Sequence, residues 1–415
     1  MHVDCRRILA NDISYLKTIA KKRPTLCERK HSRDMSCETI RSRVLPPVQE
    51  ERLEFGIAHV RIVYENYVFI EEELRSSYHS QNHFCYFLDK KADTLFKTRM
   101  HLLDECFPNV YIPHKQLSID AWGHFMFFAY HECLKVLTEV DGWKYALLLQ
   151  NYDLVIKSVK EFIAIYNILG GANDIPLHKC ETRCQNLDKQ KWDAKTLRFY
   201  NESATEQSRS NGVLKFAKGT AQVSLSRAAV EWMISTVNLS TIMHLFNNKK
   251  VYGIDEILYS SLQVSDGLGM PGHFTSACLE KGFWSPAVTR LSYHDSRLCR
   301  CPSGKSRNSI CIFGIEDLGI LASSPRLIAN KILPDYDYAV VDCVHELLFN
   351  RTFRNLVNPH FELQYYKELP HVQYHRNHSI NSSNEIDCST NFRTILKNKD
   401  INRRRACRFG FFSMF

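Results

Sequence analysis

The sequence predicts an α/β fold, an open mixed sheet flanked by helices. Two observations carry this. β-rich and amphipathic stretches alternate from Phe55 to Leu149, and two of the strands run out toward aspartates, Asp89 and Asp153. In open α/β sheets ligands bind beyond the carboxyl ends of the strands, where those aspartates fall. Taken in order, Cys5–Ile19 reads as a helix broken by Lys21-Lys22-Arg23-Pro24, in a weakly periodic, basic segment 1–50 with the look of a stem. Phe55–Tyr64 is a buried strand, Tyr67–Ser76 an amphipathic helix and His83–Asp89 a second strand. Residues 93–105 are helical, Asn109–Ile112 a short strand, Trp122–Val140 a long helix and Tyr145–Leu149 another strand. Residues 168–212 are polar and read as a long excursion, a common home for substrate contacts. Residues 213–227 return to strand, and 228–247 and 254–263 to helix. From 351 to 415 the chain is His- and Asn-rich with a basic end, the composition of a poorly ordered tail, which leaves 51–350 as the main domain.

The composition is that of a globular protein: 415 residues, 44% apolar and 24% charged, enough to build a large core. The net charge of +9 lacks the clustered cations and interleaved aromatics of a nucleic-acid site, and Arg403-Arg404-Arg405 is short and terminal. Nucleic acid is therefore not expected as a partner. Fifteen cysteines are dispersed rather than grouped as zinc-ribbon pairs. Sequons stand at Asn201, Asn238, Asn350, Asn377 and Asn381. Together these point to an oxidising secretory compartment. No run approaches a membrane span and no signal peptide opens the chain. The secretory reading therefore expects an N-terminal anchor missing from this chain. Its rival is a cytosolic basic protein with free thiols.

The most informative segment is Ser309–Lys331. Ile310-Cys311-Ile312-Phe313 is a short apolar strand stopped by Gly314, followed by the acidic turn Glu316-Asp317. Ser324 and Pro325 fit the N-cap and N1 positions of a helix that would carry Lys331 toward its far end, and Arg307 stands just before the strand. This segment resembles the C-terminal signature of the core 2/I-branching β-1,6-N-acetylglucosaminyltransferases, R-S-V-C-I-F-G-x-x-D-L followed by F-A-N-K-F. Other segments resemble the same family in the same order: Cys5-Arg6-Arg7-Ile8-Leu9 with Lys21-Lys22-Arg23-Pro24, Cys37, Ile57–Tyr64, His83–Asp89, Trp143-Lys144-Tyr145 with Asp153, Gly219, and Asp255-Glu256. The likeness spans about residues 5–347.

The resemblance implies a disulfide-stapled nucleotide-sugar transferase fold of GT-A type, lumenal in the Golgi and held by an N-terminal anchor. It implies the pairs Cys5–Cys343, Cys37–Cys106, Cys85–Cys133 and Cys301–Cys311. Cys180, Cys184 and Cys299 are candidates for further bridges; a zinc site from His178, Cys180 and Cys184 ranks below a disulfide for want of a fourth ligand. It implies an inverting transfer of N-acetylglucosamine from UDP-N-acetylglucosamine to the 6-hydroxyl of a galactose or N-acetylgalactosamine on an O-glycan, without cofactor or metal. Such a reaction needs a base for the hydroxyl and positive charge for the departing diphosphate. Glu256 matches the family's base, and Arg307 and Lys331 its diphosphate-binding cations. Arg307 stands four residues before Cys311 where the family has three, so Asn308 is an insertion; Lys305 is the substitute if Arg307 is misdirected. Asp89 fits the uridine–ribose contact. For the acceptor, Asp174, Lys179 and Arg183 approximate the family's acid, lysine and arginine, and Leu291-Ser292-Tyr293 its W-x-Y pair with the tryptophan lost. Asp335-Tyr336-Asp337 imitates a metal-binding D-x-D but reads as structural. The alternatives are a peptide O-xylosyltransferase-like enzyme and a non-catalytic glycan-binding descendant.

Overall fold

The computed structural model describes residues 3–380 apart from 27–32, 182–183, 185–186, 188–190, 203, 205–210, 248–251, 283–286 and 297–299. The first helices are α1 (Cys5–Leu9), α2 (Ile13–Lys21) and α3 (Cys37–Val44). Periodicity predicts one helix over Cys5–Ile19; Asn11, at φ 61°, splits it in two. The central unit follows as β1 (Gly56–Val63), α4 (Tyr67–Ser77), β2 (His83–Leu88), α5 (Thr94–Cys106), β3 (Val110–Tyr111), α6 (Met126–Thr138) and β4 (Trp143–Leu149). The long helix expected from Trp122 begins four residues late, because Gly123 and Phe125 take positive φ in a turn before it. Next come β5 (Leu154–Val155), α7 (Val159–Leu169), β6 (His178–Lys179), β7 (Ala217–Lys218) and β8 (Ser224–Ser226).

The main sheet has the order β3-β2-β1-β4-β8, with the first four strands parallel and β8 antiparallel at the edge. β1 is buried along its whole length, which is why it reads as an unbroken β-rich run. Its side chains alternate between two cores. Ile57 and Val63 join Tyr145, Leu147 and Leu149 on one face; Ala58, Val60 and Ile62 join Ala146 and Leu148 on the other. The chain turns from β1 to β2 on one side and reaches β4 on the other. The crevice at this switch point opens at the strands' carboxyl ends, where Asp89 and Asp153 follow β2 and β4.

The remainder builds onto that frame. α8 (Arg227–Glu231) runs into a π turn at Trp232–Thr236, then α9 (Ser240–Phe246), replacing the single helix expected over 228–247. A 3-10 turn at Ile254–Glu256 leads into α10 (Leu258–Val264), followed by α11 (Ser276–Glu280) and β9 (Arg290–Leu291). The hairpin β10 (Ser306–Arg307) and β11 (Ile310–Cys311) precedes α12 (Leu318–Ser323), β12 (Ile328–Ala329) and α13 (Ala339–Phe353). Here one reading is corrected. Ser324 and Pro325 do not open a helix; Ser324 is extended at the end of α12, and the chain bends into β12. Leu327, Ile328 and Ala329 are fully buried, and β12 lies between β5 and β9 in a second sheet. Tertiary strand pairing overrides the local capping signal.

The tail is a second correction. α14 (Leu363–Lys367), α15 (Pro370–Ile380) and the link between them pack Tyr365, Tyr366, Leu369 and Val372 into the main core. Apolar residues recur among the polar ones closely enough to bury a face. Residues 381–415 lie outside the described residues. The stem-like segment also folds onto the rest. Arg23 pairs with Glu316 and Asp337, the amide of Leu26 donates to Pro334, and that of Tyr338 donates to Pro24. All four implied disulfides are present. A fifth joins Cys180 to Cys184, so those two thiols are not zinc ligands beside His178. Cys278 is disulfide-bonded too, and Cys299 lies outside the described residues.

Candidate active site

The site assembles where the two sheets meet. The small sheet β5-β12-β9 places four polar residues together: Asp153 before β5, Asn330 and Lys331 after β12, and Arg290 at the start of β9. Asp153 is fully buried and accepts from the Gln150 amide, the Gln222 side chain and Asn330 Nδ2 at 2.7 Å. Burial holds its carboxyl above the ordinary aspartate value. Asn330 is held from its other end by Arg290, whose Nη2 donates to Oδ1 at 2.7 Å.

Lys331 is therefore carried on a strand end rather than a helix end. Its pKa is pulled down first by burial, then by the nearby guanidiniums of Arg307 and Arg290. Three cations thus share one region at a cost in mutual repulsion, an arrangement suited to a polyanion. Arg307 ends the first strand of the β10–β11 hairpin and is exposed. Asn308 and Ser309 take φ of 52° and 60°, so the inserted residue forms half of a two-residue hairpin tip. The insertion is absorbed in the turn and leaves Arg307 paired with Ile310. Lys305 points elsewhere, its Nζ 5.5 Å from the centre of the Tyr336 ring.

Asp89 lies across the crevice, buried at the end of β2, with Oδ1 accepting from the Lys91 amide at 2.8 Å. Tyr64 links it to the cations. Burial is the main cause that pushes this phenol up to about 12, and it feels both the Arg307 guanidinium and the Asp89 carboxylate.

Glu256 ends the 3-10 turn that Gly253 starts at φ 69°. Its carbonyl accepts from Gly219 at 2.7 Å, pinning the turn to the end of β7. Its carboxylate is partly exposed, with Oε2 3.5 Å from Lys218 Nζ. Arg290 feels the charges of Asp153, Glu256 and Asp255, though burial dominates and lowers its pKa. Arg290 is therefore the electrostatic link between the carboxylate and the Lys331–Arg307 pair. Sequence reasoning missed Arg290, Lys218, Gln222 and Asn330. The only signal was that Arg290, Lys218 and Asn330 each adjoin a residue it had singled out; Gln222 carried none.

The acceptor assignments fare differently. Asp174 is fully buried, and its oxygens accept from the Val288 and Thr289 amides and the Thr289 hydroxyl, with His371 Nε2 3.0 Å away. It is saturated inside the fold and presents nothing to an acceptor. Lys179 is exposed on β6 near Glu181, and Arg183 lies outside the described residues. Tyr293 is half-buried against Phe313, at 5.4 Å between ring centres, and Leu291 is buried in β9. In the D-x-D string Asp337 is buried in its pair with Arg23, and Asp335 is exposed. Of the sequons, Asn201 is partly exposed and donates its amide to the Ser235 and Val237 carbonyls. The Asn238 side-chain oxygen accepts from the Ser240 amide, Asn350 is half-buried in α13 and Asn377 is exposed on α15. Asn381 lies outside the described residues.

Comparison with known proteins adds an independent line. The profile of the Core-2/I-Branching enzyme family matches residues 57–322. The chain is 28% identical over 348 residues to a β-1,3-galactosyl-O-glycosyl-glycoprotein β-1,6-N-acetylglucosaminyltransferase of Bovine herpesvirus 4 (strain LVR140), covering 80% of this chain and 77% of the relative. It is 23% identical over 381 residues to the Bos taurus protein of the same name, covering 86% and 87%. It is 28% identical over 359 residues to the Mus musculus protein of that name numbered 3, covering 80% and 77%.

Proposed function

The chain belongs to the Core-2/I-Branching enzyme family, and from that premise we propose that it is a β-1,6-N-acetylglucosaminyltransferase acting on O-glycans. The donor in this reading is UDP-N-acetylglucosamine, bound in a GT-A-type crevice with Asp89 on the ribose. Glu256 removes the proton from the 6-hydroxyl of a galactose or N-acetylgalactosamine as that oxygen attacks the anomeric carbon from the face opposite UDP. The bond to UDP breaks with inversion, and the charge left on the diphosphate is neutralised by Arg307 and Lys331 without a metal ion. Arg290 lies between these functions and supports both.

The observation that carries this reading is the convergence of Lys331, Arg307 and Arg290, with Glu256 in Arg290's field. Like charges gathered at such cost are what a diphosphate would repay. The disulfides support an oxidising, lumenal setting such as the Golgi. Among the described residues no helix is long and apolar enough to cross a membrane.

The test is a transfer assay with a panel of UDP-sugars and a galactosyl-β-1,3-N-acetylgalactosamine acceptor in excess EDTA. Transfer from UDP-N-acetylglucosamine is expected to survive EDTA and to fall at least about a hundredfold in Glu256→Gln. A requirement for Mn²⁺ would overturn the metal-free mechanism, and an active Glu256→Gln enzyme would remove the base.

A further inference from the structure

Two large aromatic side chains stand out in solvent beside the turn that carries Glu256. Trp122 is 47% exposed and Tyr252 is 48% exposed. Their rings meet edge to face, 5.8 Å between centres at 79°. Behind Trp122, the ring of His124 stacks at 6.2 Å and 27°. His124 is itself buried, with Nδ1 2.6 Å from Asp120 Oδ2. Asp120 Oδ1 accepts from the amides of Trp122 and His124, at 2.9 and 3.2 Å. The exposed indole is therefore held by a built support rather than left on a loose loop.

That support is joined to the candidate base. The Trp122 carbonyl accepts from Gly253, the residue that starts the Glu256 turn, at 2.9 Å. A Cβ at Gly123 would lie 2.2 Å from Asp255 Oδ1, so the two segments are packed as closely as glycine allows. At its other end the segment starts at Leu117, which bridges to Asp89. Residues 117–124 thus run from the donor side of the crevice to the base, and the aromatic pair lies at the base end.

We infer that Trp122 and Tyr252 form a stacking platform for a sugar of the acceptor glycan next to the one that carries the attacking hydroxyl. Pyranose rings present an apolar C–H face that packs on aromatic planes, and exposed aromatics fixed in position mark binding surfaces. Rigid support lowers the ordering cost of binding. The half-exposed Asp120 carboxylate at the rim offers an acceptor for sugar hydroxyls. Leu291 is buried and has no ring, and half-buried Tyr293 offers less exposed ring surface for that role. This inference rests on the transferase reading and extends it to the acceptor subsite.

The experiment compares a monosaccharide acceptor, methyl N-acetylgalactosaminide, with the disaccharide methyl galactosyl-β-1,3-N-acetylgalactosaminide. In Trp122→Ala the preference for the disaccharide, as the ratio of kcat/KM values, is expected to fall about tenfold, the value of one good aromatic contact. Trp122→Phe should keep most of that preference. Disaccharide binding is read separately by saturation-transfer NMR in the Glu256→Gln background, with and without Trp122→Ala, after thermal melts confirm folding. Loss of the sugar signal with Trp122→Ala supports the platform even if the catalytic assignment of Glu256 fails. An unchanged preference ratio, an unchanged NMR signal or a raised KM for the UDP-sugar alone would overturn it.

Discussion

Replacing Asp174 by asparagine separates a structural from a functional carboxylate. Four groups meet its oxygens inside the fold: the amides of Val288 and Thr289 at 2.9 and 2.6 Å, the Thr289 hydroxyl at 2.6 Å, and His371 Nε2 at 3.0 Å. They tie the excursion after α7 to β9 and to α15. Asparagine keeps the shape but offers one acceptor oxygen, and its NH₂ is turned toward donors. Losing one charge-assisted hydrogen bond costs about 1.5–3 kcal/mol, and losing the charge opposite His371 adds to this, so about 3–4 kcal/mol is expected. With unfolding entropy near 2.1 cal/mol/K per residue, a chain this long should melt roughly 3–5 °C lower. The pH dependence has a definite sign. Asp174 is held below the ordinary aspartate value by His371, Thr289 and the Val288 amide, against the opposing effect of burial. Its stabilisation is therefore complete above the unfolded value of about 3.9 and lost as pH falls through the lower folded value. Scanning fluorimetry from pH 2 to 7 should show the wild-type advantage over Asp174→Asn shrinking in acid. An unchanged melting temperature together with a raised acceptor KM would refute this and restore Asp174 to the acceptor site.

Two further outcomes follow from buried charges. Burial and its two arginine neighbours hold Lys331 below the ordinary lysine value, so the alkaline limb of kcat/KM should fall before pH ~10.4. Lys331→Arg should move that limb to higher pH, and an identical limb in both enzymes would clear Lys331 of the role. Asp317 is buried, its Oδ1 lacks a hydrogen-bond partner, and burial pushes its carboxyl up to about 7. Its contribution is fully present below about pH 4 and lost as pH rises through 7. Asp317→Asn should therefore flatten the decline in melting temperature between those values. A steeper decline would show that Oδ2, which accepts from Gly314, matters more than the buried charge.

Much of this protein is legible in the sequence because its physics there is local. β1, β2 and β4 are nearly covered on both faces, so they read as apolar runs whatever their neighbours. The apolar residues after Glu256 put it in the first turn of a helix over 254–263, and it lies in the 3-10 turn just ahead of α10. The disulfide partners came from resemblance, and each implied pair is joined.

What only the tertiary structure decided has a common cause. A two-residue strand such as β12 has no period to read, so Lys331 was placed on a helix by a capping signal that long-range pairing overruled. The meaning of a charge depends on what surrounds it. Asp174 became a structural post because Val288 and Thr289 just before β9 and His371 of α15 enclose it, while Arg290 joined the site because β9 lies against β12. Trp122 and Tyr252, far apart in sequence, meet because Gly253 hydrogen-bonds to the Trp122 carbonyl. Local propensity is written along the chain; desolvation, charge coupling and contact between distant segments arise only when the chain closes on itself.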